Sequence, residues 1–260
     1  MLVVSTMKSL QTKLLLIIFS SIFSISILIG FTSVKLLHDK SYKTSMDNMA
    51  NICENKKEDL NNILSSIEQS VNIITNTAKL KIDSLDLFNN NDQYFSYINN
   101  IEELFTNISN NTNGAVAFYY RINPELRDSV SGFFFTGYDG NFSKVPNTNL
   151  NEFNEDDIEH VGWYYIPVSN GKETWINPYY NQNMAEEIIS YVIPIFFDGK
   201  TIGVVGMDIS TKLLYENTKN VTVYDSGYAF LMDNVGEFVY HPEMKGNTIS
   251  EEFNIQHTYL

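Results

Sequence analysis

The chain is short of the residues that would staple it or bind a metal. It has a single cysteine, Cys53, in 260 residues. That excludes an intramolecular disulfide and any Cys-rich metal site. Stability therefore has to come from packing. Positive charge is scarce too, with 17 Lys and Arg against 31 Asp and Glu and a formal net charge of -14. Such a surface repels phosphate backbones, so no nucleic-acid partner is expected. Catalytic signatures are also missing. The histidines His38, His160, His241 and His257 are scattered, without an H-E-x-x-H or triad context. Ser131-Gly132 and Ser226-Gly227 lack the G-x-S-x-G elbow. Gly203-Val204-Val205-Gly206 has neither the dinucleotide fingerprint nor a Walker lysine, and reads as close strand packing. Glu152, Glu155, Asp156, Asp157 and Glu159 lack the spacing of a calcium loop and read as a solvated helix start. No enzymatic activity, metal or cofactor is expected.

One long stretch has no charge at all. From Leu14 to Val34 the chain reads LLLIIFSSIFSISILIGFTSV. At about 1.5 Å per residue, roughly twenty such residues cross the hydrocarbon core of a bilayer. Lys8 and Lys13 precede it, and Lys35 and Lys40 follow. A cleaved signal peptide is the competing reading. The length of the run and the lack of a clear A-x-A site favour an uncleaved anchor. Lysines on both flanks leave the charge rule nearly balanced. The flank over residues 1–13 is too short to fold, so it is expected in the cytoplasm. The expectation is a single-pass plasma-membrane protein with its acidic bulk extracytoplasmic.

Glycine and proline are absent from Thr44 to Leu80, which predicts one nearly continuous helix there. Met46, Met49, Cys53, Leu60, Ile63, Ile67 and Ile74 fall on three- and four-residue steps, with Lys56, Ser70 and Thr77 on the seam between them. Such a stripe can pair with a second copy near the membrane, giving a homodimer through the stalk, and cover a sheet farther along. After Asn89-Asn90-Asn91-Asp92 the pattern turns to strands: 114–122 (GAVAFYYRI), 132–136 (GFFFT) before a turn at Tyr138-Asp139-Gly140-Asn141, then 189–196 (ISYVIPIF) and 201–209 (TIGVVGMDI) about Phe197-Asp198-Gly199-Lys200. Asp-Gly between two apolar runs is a strong hairpin signal. Pro194 predicts an edge position or a bulge. A further set, VTVY, YAFLMD and EFVYHP, begins at Val221, with a turn over Asp233-Asn234-Val235-Gly236.

Three segments, in order, carry a resemblance: Val161-Gly162-Trp163-Tyr164-Tyr165, Trp175-Ile176-Asn177-Pro178-Tyr179-Tyr180-Asn181, and Ile202 to Ile209. The chain resembles the double Cache family of bacterial extracytoplasmic sensors. The resemblance implies an α+β fold with an N-terminal transmembrane helix and a long stalk helix packed on PAS-like antiparallel sheets. It divides the chain into a tail at 1–13, an anchor at 14–34, a stalk at 35–85, a membrane-distal module at 86–218 and an incomplete membrane-proximal module at 219–260. It also implies a ligand site of Trp163, Tyr164, Tyr179, Asn181 and Asp208. The family's arginine falls on Val161, its first carboxylate on Asn181 and a further tyrosine on Asp156. Val161 cannot grip a carboxylate, whereas Asp208 can pair with an ammonium, so an amine or an amino acid held by some other donor is the expected ligand. Asp208 could instead cap a helix starting near Ser210. The reading is of a sensor module for a membrane receptor. A truncated, non-signalling remnant and an anchored hydrolase are the alternatives. As the chain stops at Leu260, the second module is expected to be marginal and the chain unable to signal alone.

Overall fold

The structure is a computed structural model that describes residues 2–224, 227–232 and 238–243, with side chains from Leu10 onward. It divides into two compact units, residues 1–55 and 56–260. The helix α1, Leu2–Leu80, passes from the first into the second.

In the first unit the side chains from Leu14 to Val34 are exposed. This is the one helix, among the described residues, long and apolar enough to cross a membrane. Its hydroxyls do not break that character. Ser20, Ser21, Ser24, Ser26 and Thr32 each donate to a main-chain carbonyl one turn back. A polar group satisfied within its own helix costs little in lipid. Farther along, Met46, Met49 and Cys53 are exposed.

The second unit is a six-stranded antiparallel sheet between helices. In chain order it holds α2 (Asn91–Ser109), β1 (Ala115–Ile122), β2 (Gly132–Tyr138), β3 (Asn141–Val145), α3 (Ile158–Asn170), β4 (Thr174–Asn181), β5 (Glu186–Phe197), β6 (Lys200–Ser210) and α4 (Thr211–Lys219). The strands lie in the order β3-β2-β1-β6-β5-β4. The expected α+β architecture, a long helix along an antiparallel sheet, is therefore the observed one.

Alternation along β1 sorts the two faces. Phe118, Tyr120 and Ile122 join Ile63, Ile67, Val71, Ile74 and Ala78 of α1 and Ile101 and Phe105 of α2 in one apolar core. Ile67 and Ile74 are fully buried, worth roughly 1.5–3 kcal/mol each. The far part of the stripe thus covers the sheet. One of its polar positions is absorbed: Ser70 Oγ and Thr112 Oγ1 share a buried 2.7 Å hydrogen bond. Ala117, Tyr119, Phe134, Val192 and Val204, on the other face, pack with Val161, Trp163 and Tyr164 of α3.

The Asp198-Gly199 turn joins β5 to β6 with both residues at positive φ, 49° and 75°, as a primed hairpin turn requires. Pro194 lies in a strand that is interior by order, but β4 begins only opposite Val192. Its missing donor therefore faces no partner on that side, and a bulge follows at Ile195/Phe196. The acidic segment does start a helix, since Asp157 caps α3 through the His160 amide. Asp208, in contrast, caps nothing. It lies within β6, and Ser210 caps α4 by accepting from the Lys212 amide at 3.1 Å. The serine sits at the position where the chain leaves the strand, two residues too late for Asp208 to reach it.

Beyond α4 come short two-residue and three-residue strands: β7 (Thr222–Val223), β8 (Gly227–Tyr228), β9 (Leu231–Met232) and β10 (Phe238–Tyr240). The turn expected over Asp233 to Gly236 and residues 244–260 lie outside the described residues.

Candidate functional site

The site forms on the α3 face of the sheet, where β1, β2, α3, β4 and two loops meet. The first turn of α3 is tightly fixed. Asp157 accepts from the His160 amide at 3.2 Å and from His160 Nδ1 at 2.9 Å. The hydrogen bond from His160 is the first cause that lowers the Asp157 pKa. The His160 ring also stacks on Phe153 at 4.7 Å and contacts Gln182 Nε2 at 2.9 Å. Its carbonyl accepts from Trp163 Nε1 at 3.0 Å. The Trp163 indole is thereby aimed at the sheet, edge-on to Tyr119 with centroids 5.0 Å apart.

Beneath it is a cavity with about 20 Å³ of free volume, lined by Tyr119, Arg121, Phe134, Thr148, Trp163, Tyr179, Asn181 and Asn183. That is room for about one water molecule. A cleft of about 320 Å³ adjoins it, sharing Thr148, Trp163, Tyr179, Asn181 and Asn183. A hydrogen bond from Asn183 Nδ2 to Thr148 Oγ1, 3.1 Å long, closes the seam between the β4–β5 turn and the loop after β3. Entry of anything larger than water requires that turn to move.

Of the expected site residues, Trp163, Tyr179 and Asn181 line the cavity. Asn181 Oδ1 already accepts from the amides of Asn183 and Met184, at 3.0 and 3.2 Å, so its amide nitrogen is the group left to offer. Tyr164 does not line the cavity. It is buried beside Trp163 and Tyr165, and its hydroxyl makes no hydrogen bond. Val161 is fully buried in the core of this face.

Asp208 does not line the cavity; it lies on β6 near Tyr119, which does. It is 0% exposed, and neither carboxylate oxygen has a hydrogen-bond partner. Burial pushes its pKa up to about 7, while the nearby Ser190 and Tyr119 hydroxyls pull it down without reaching hydrogen-bond geometry. The Tyr179 and Ser190 hydroxyls bond each other at 2.9 Å. Burial, and then the charge of Asp208, hold the Tyr119 and Tyr179 phenols far above their usual pKa. Orphaned buried carboxylates are rare in folded proteins and demand an explanation.

Sequence reasoning missed Tyr119, Arg121, Phe134, Thr148 and Asn183. Alternation along β1 could have placed Tyr119 and Arg121 on one face, but it does not reveal which face meets α3. A larger cleft, about 490 Å³, lies elsewhere, between the α2–β1 loop and the start of α4. Its Glu186 is already bonded by the Tyr138 and Ser210 hydroxyls.

Comparison with known proteins fits this architecture. The sequence pattern of a family described as the Cache domain matches residues 38–258. The methyl-accepting chemotaxis protein PctB of Pseudomonas aeruginosa is 28% identical over 116 residues, 44% of this chain and 18% of that protein. TlpA of Bacillus subtilis, also a methyl-accepting chemotaxis protein, is 23% identical over 125 residues, 48% of this chain and 18% of TlpA. The matched region is thus under a fifth of either relative. Among solved structures, the ligand-binding domain of the Campylobacter jejuni chemoreceptor Tlp3, in complex with 4-methylisoleucine, superimposes with a TM-score of 0.56 at 14% identity. The overlap covers 82% of this chain and 78% of that one. The ligand-binding domain of the Pseudomonas aeruginosa amino acid chemoreceptor PctC, in complex with GABA, gives 0.52 at 13% identity, covering 80% and 82%.

Proposed function

We propose a function from one premise: the chain belongs to the Cache domain family. It acts as the extracytoplasmic sensing module of a membrane-bound receptor, and its ligand is an amine-like or amino-acid-like solute. The observation that carries this reading is Asp208, a fully buried carboxylate with both oxygens unpartnered, near Tyr119, which walls a cavity with Tyr179 and Trp163. A buried anion without a partner is costly. An ammonium would relieve that cost, and the aromatic faces would add about 0.5–2 kcal/mol of cation attraction.

The fold offers a route away from the site. β4 carries Tyr179 and Asn181, and also Trp175, whose indole N–H donates to Glu68 on α1 at 2.9 Å. Movement of β4 on binding would bear directly on that helix. Residues 14–34 of α1 supply the membrane anchor.

The test is a thermal-shift screen of the full chain in detergent against simple amines, amino acids and carboxylates. Amines and amino acids should raise the melting temperature, and carboxylates alone should not. A panel in which no ammonium compound shifts the melt sinks the proposal.

Pairing of two copies along Met46, Met49 and Cys53 gives a separate expectation. Cys53 is exposed on that seam and is the chain's only cysteine. Mild oxidation in membranes should yield a disulfide-linked species at twice the 29.8 kDa of the chain, lost in Cys53→Ser. A chain that stays monomeric under oxidant concentrations that link a known dimer would remove the seam from consideration.

A further inference from the structure

Unlike Asp208, which lies outside the cavity lining, a charge of the opposite sign is part of the cavity wall itself. Arg121 is 1% exposed, and it takes part in none of the ion pairs among the described residues. Its Nε donates to the Ser131 carbonyl at 3.4 Å. Its Nη2 donates to the Ser129 and Thr148 carbonyls at 2.7 and 2.8 Å, and Nη1 has no protein partner. Neutral carbonyls orient a guanidinium without compensating its charge. Burial lowers its pKa only to about 10, so it remains cationic at neutral pH.

The sheet register fixes how far apart the two orphans are. Arg121 stands opposite Val204, and Ala117 stands opposite Asp208. Arg121 and Asp208 therefore project from the same face, four residues apart along the strand direction. Four steps are about 14 Å, which keeps them from pairing with each other. Tyr119 lies between them, and the Trp163 ring packs against Tyr119 and over Arg121. Its centroid is 5.0 Å from the Tyr119 ring and 5.9 Å from the Arg121 guanidinium carbon. The free amide of Asn181 adds a further donor to the cavity.

We infer that Arg121 is the anion-binding residue of this site, and that the ligand is an ω-amino acid lying along β1. Its ammonium meets Asp208, and its carboxylate meets Arg121. The methylenes between them run past Tyr119 under Trp163. An α-amino acid bears its two charges on neighbouring atoms and can satisfy one orphan only. The guanidinium supplies the fork that Val161 cannot, from a different element. This rests on the reading of the cavity as an ammonium site and adds a second anchor and a ligand length to it.

The test is calorimetric titration of the full chain in detergent with 4-aminobutanoate, 5-aminopentanoate, 2-aminobutanoate, butylamine and butanoate. The two ω-amino acids should bind at least about tenfold more tightly than 2-aminobutanoate and butylamine. Arg121→Gln should erase the advantage over butylamine while butylamine affinity stays, and Arg121→Lys should keep part of it. Circular dichroism reports whether the variants fold. If Arg121→Gln does not, the wild-type ranking and Arg121→Lys still decide. Binding of 2-aminobutanoate as tight as that of 4-aminobutanoate overturns the inference, as does an advantage that survives Arg121→Gln. If butylamine binds but neither length nor carboxylate matters, this inference alone falls. If no ammonium compound binds, the sensing proposal falls with it.

Discussion

Asp208→Asn is expected to make the protein more stable at pH 8 and to abolish its binding of ammonium ligands. Burial holds the Asp208 carboxyl at about 7 in the folded chain, against an ordinary 3.8. Between those values the folded state keeps a proton that the unfolded state gives up, so stability falls as pH rises through the window. About 3 pKa units correspond to a cost on the order of 4 kcal/mol above pH 7, vanishing below about pH 4. An asparagine removes the charge but leaves a buried amide, which forfeits about 1–3 kcal/mol of that gain. The melting temperature of the variant should therefore exceed wild type by several degrees at pH 8 and match or fall below it at pH 4. Ligand binding should move the opposite way. Truncating one partner of a buried charge pair costs about 2–5 kcal/mol, roughly thirtyfold to several thousandfold in affinity. Amine affinity of the wild type should itself rise with pH up to about 7, as the carboxylate ionises. A variant that melts lower at pH 8 while binding amines normally would show that Asp208 is a structural residue and the site lies elsewhere.

This opposition between stability and binding separates what the sequence made legible from what it concealed. The long helix, the β5–β6 hairpin, the turn after β2 and the buried stripe through Ile63, Ile67 and Ile74 follow from local rules: no Gly or Pro in the helix, Asp-Gly turns, and residue periodicity. Those rules act within a few residues, so one chain displays them. The short edge strand β3 has little such signal. Its residues Asn141 to Val145 are partly or fully exposed, and only pairing with β2 holds them extended. The site was legible by halves for the same reason. Trp163, Tyr179, Asn181 and Asp208 came from a resemblance spread over three segments. Arg121 carried no signal of its own, because an arginine in a strand is usually solvated. Its place on the cavity wall depends on which face α3 covers, and that is decided by residues some forty positions away. Tyr164 illustrates the converse. It adjoins Trp163 in sequence, but a helix turns about 100° per residue, which takes it off the cavity wall.

The glycines of β6 offer the sharpest mechanical test of the site, because two of them fail for different reasons. Gly206 lies opposite Tyr119 in the β1–β6 register. A Cβ there would fall 2.4 Å from Tyr119 Cζ and 2.5 Å from its hydroxyl oxygen. The ring has no easy retreat. It is 3% exposed, held edge-on by Trp163 at 5.0 Å and Phe134 at 5.9 Å, and it borders the cavity of about 20 Å³. Gly206→Ala should push the ring into that space. The cost to stability is about 1–3 kcal/mol from overpacking, and ligand affinity should drop at least about a hundredfold because the cavity is filled. Shortening the obstacle should reverse one effect and not the other. Gly206→Ala combined with Tyr119→Val should recover most of the lost stability, yet bind no better, since the wall that shaped the cavity is gone. Gly203 makes the contrast. Its φ is +155° and its Cβ would lie 1.9 Å from the Arg121 carbonyl oxygen, so the obstacle is backbone in the neighbouring strand. Gly203→Ala must part β1 from β6 or change its own backbone, at a cost above about 4 kcal/mol, and no side-chain substitution on β1 can rescue it. Denaturant melts of the three variants read the stabilities, and calorimetry with a ligand found in the amine screen reads the affinities. Gly206→Ala with unchanged affinity would mean that Tyr119 does not wall the ligand site. Rescue of Gly203→Ala by a side-chain change would mean that the close approach of the two strands is not what this glycine protects.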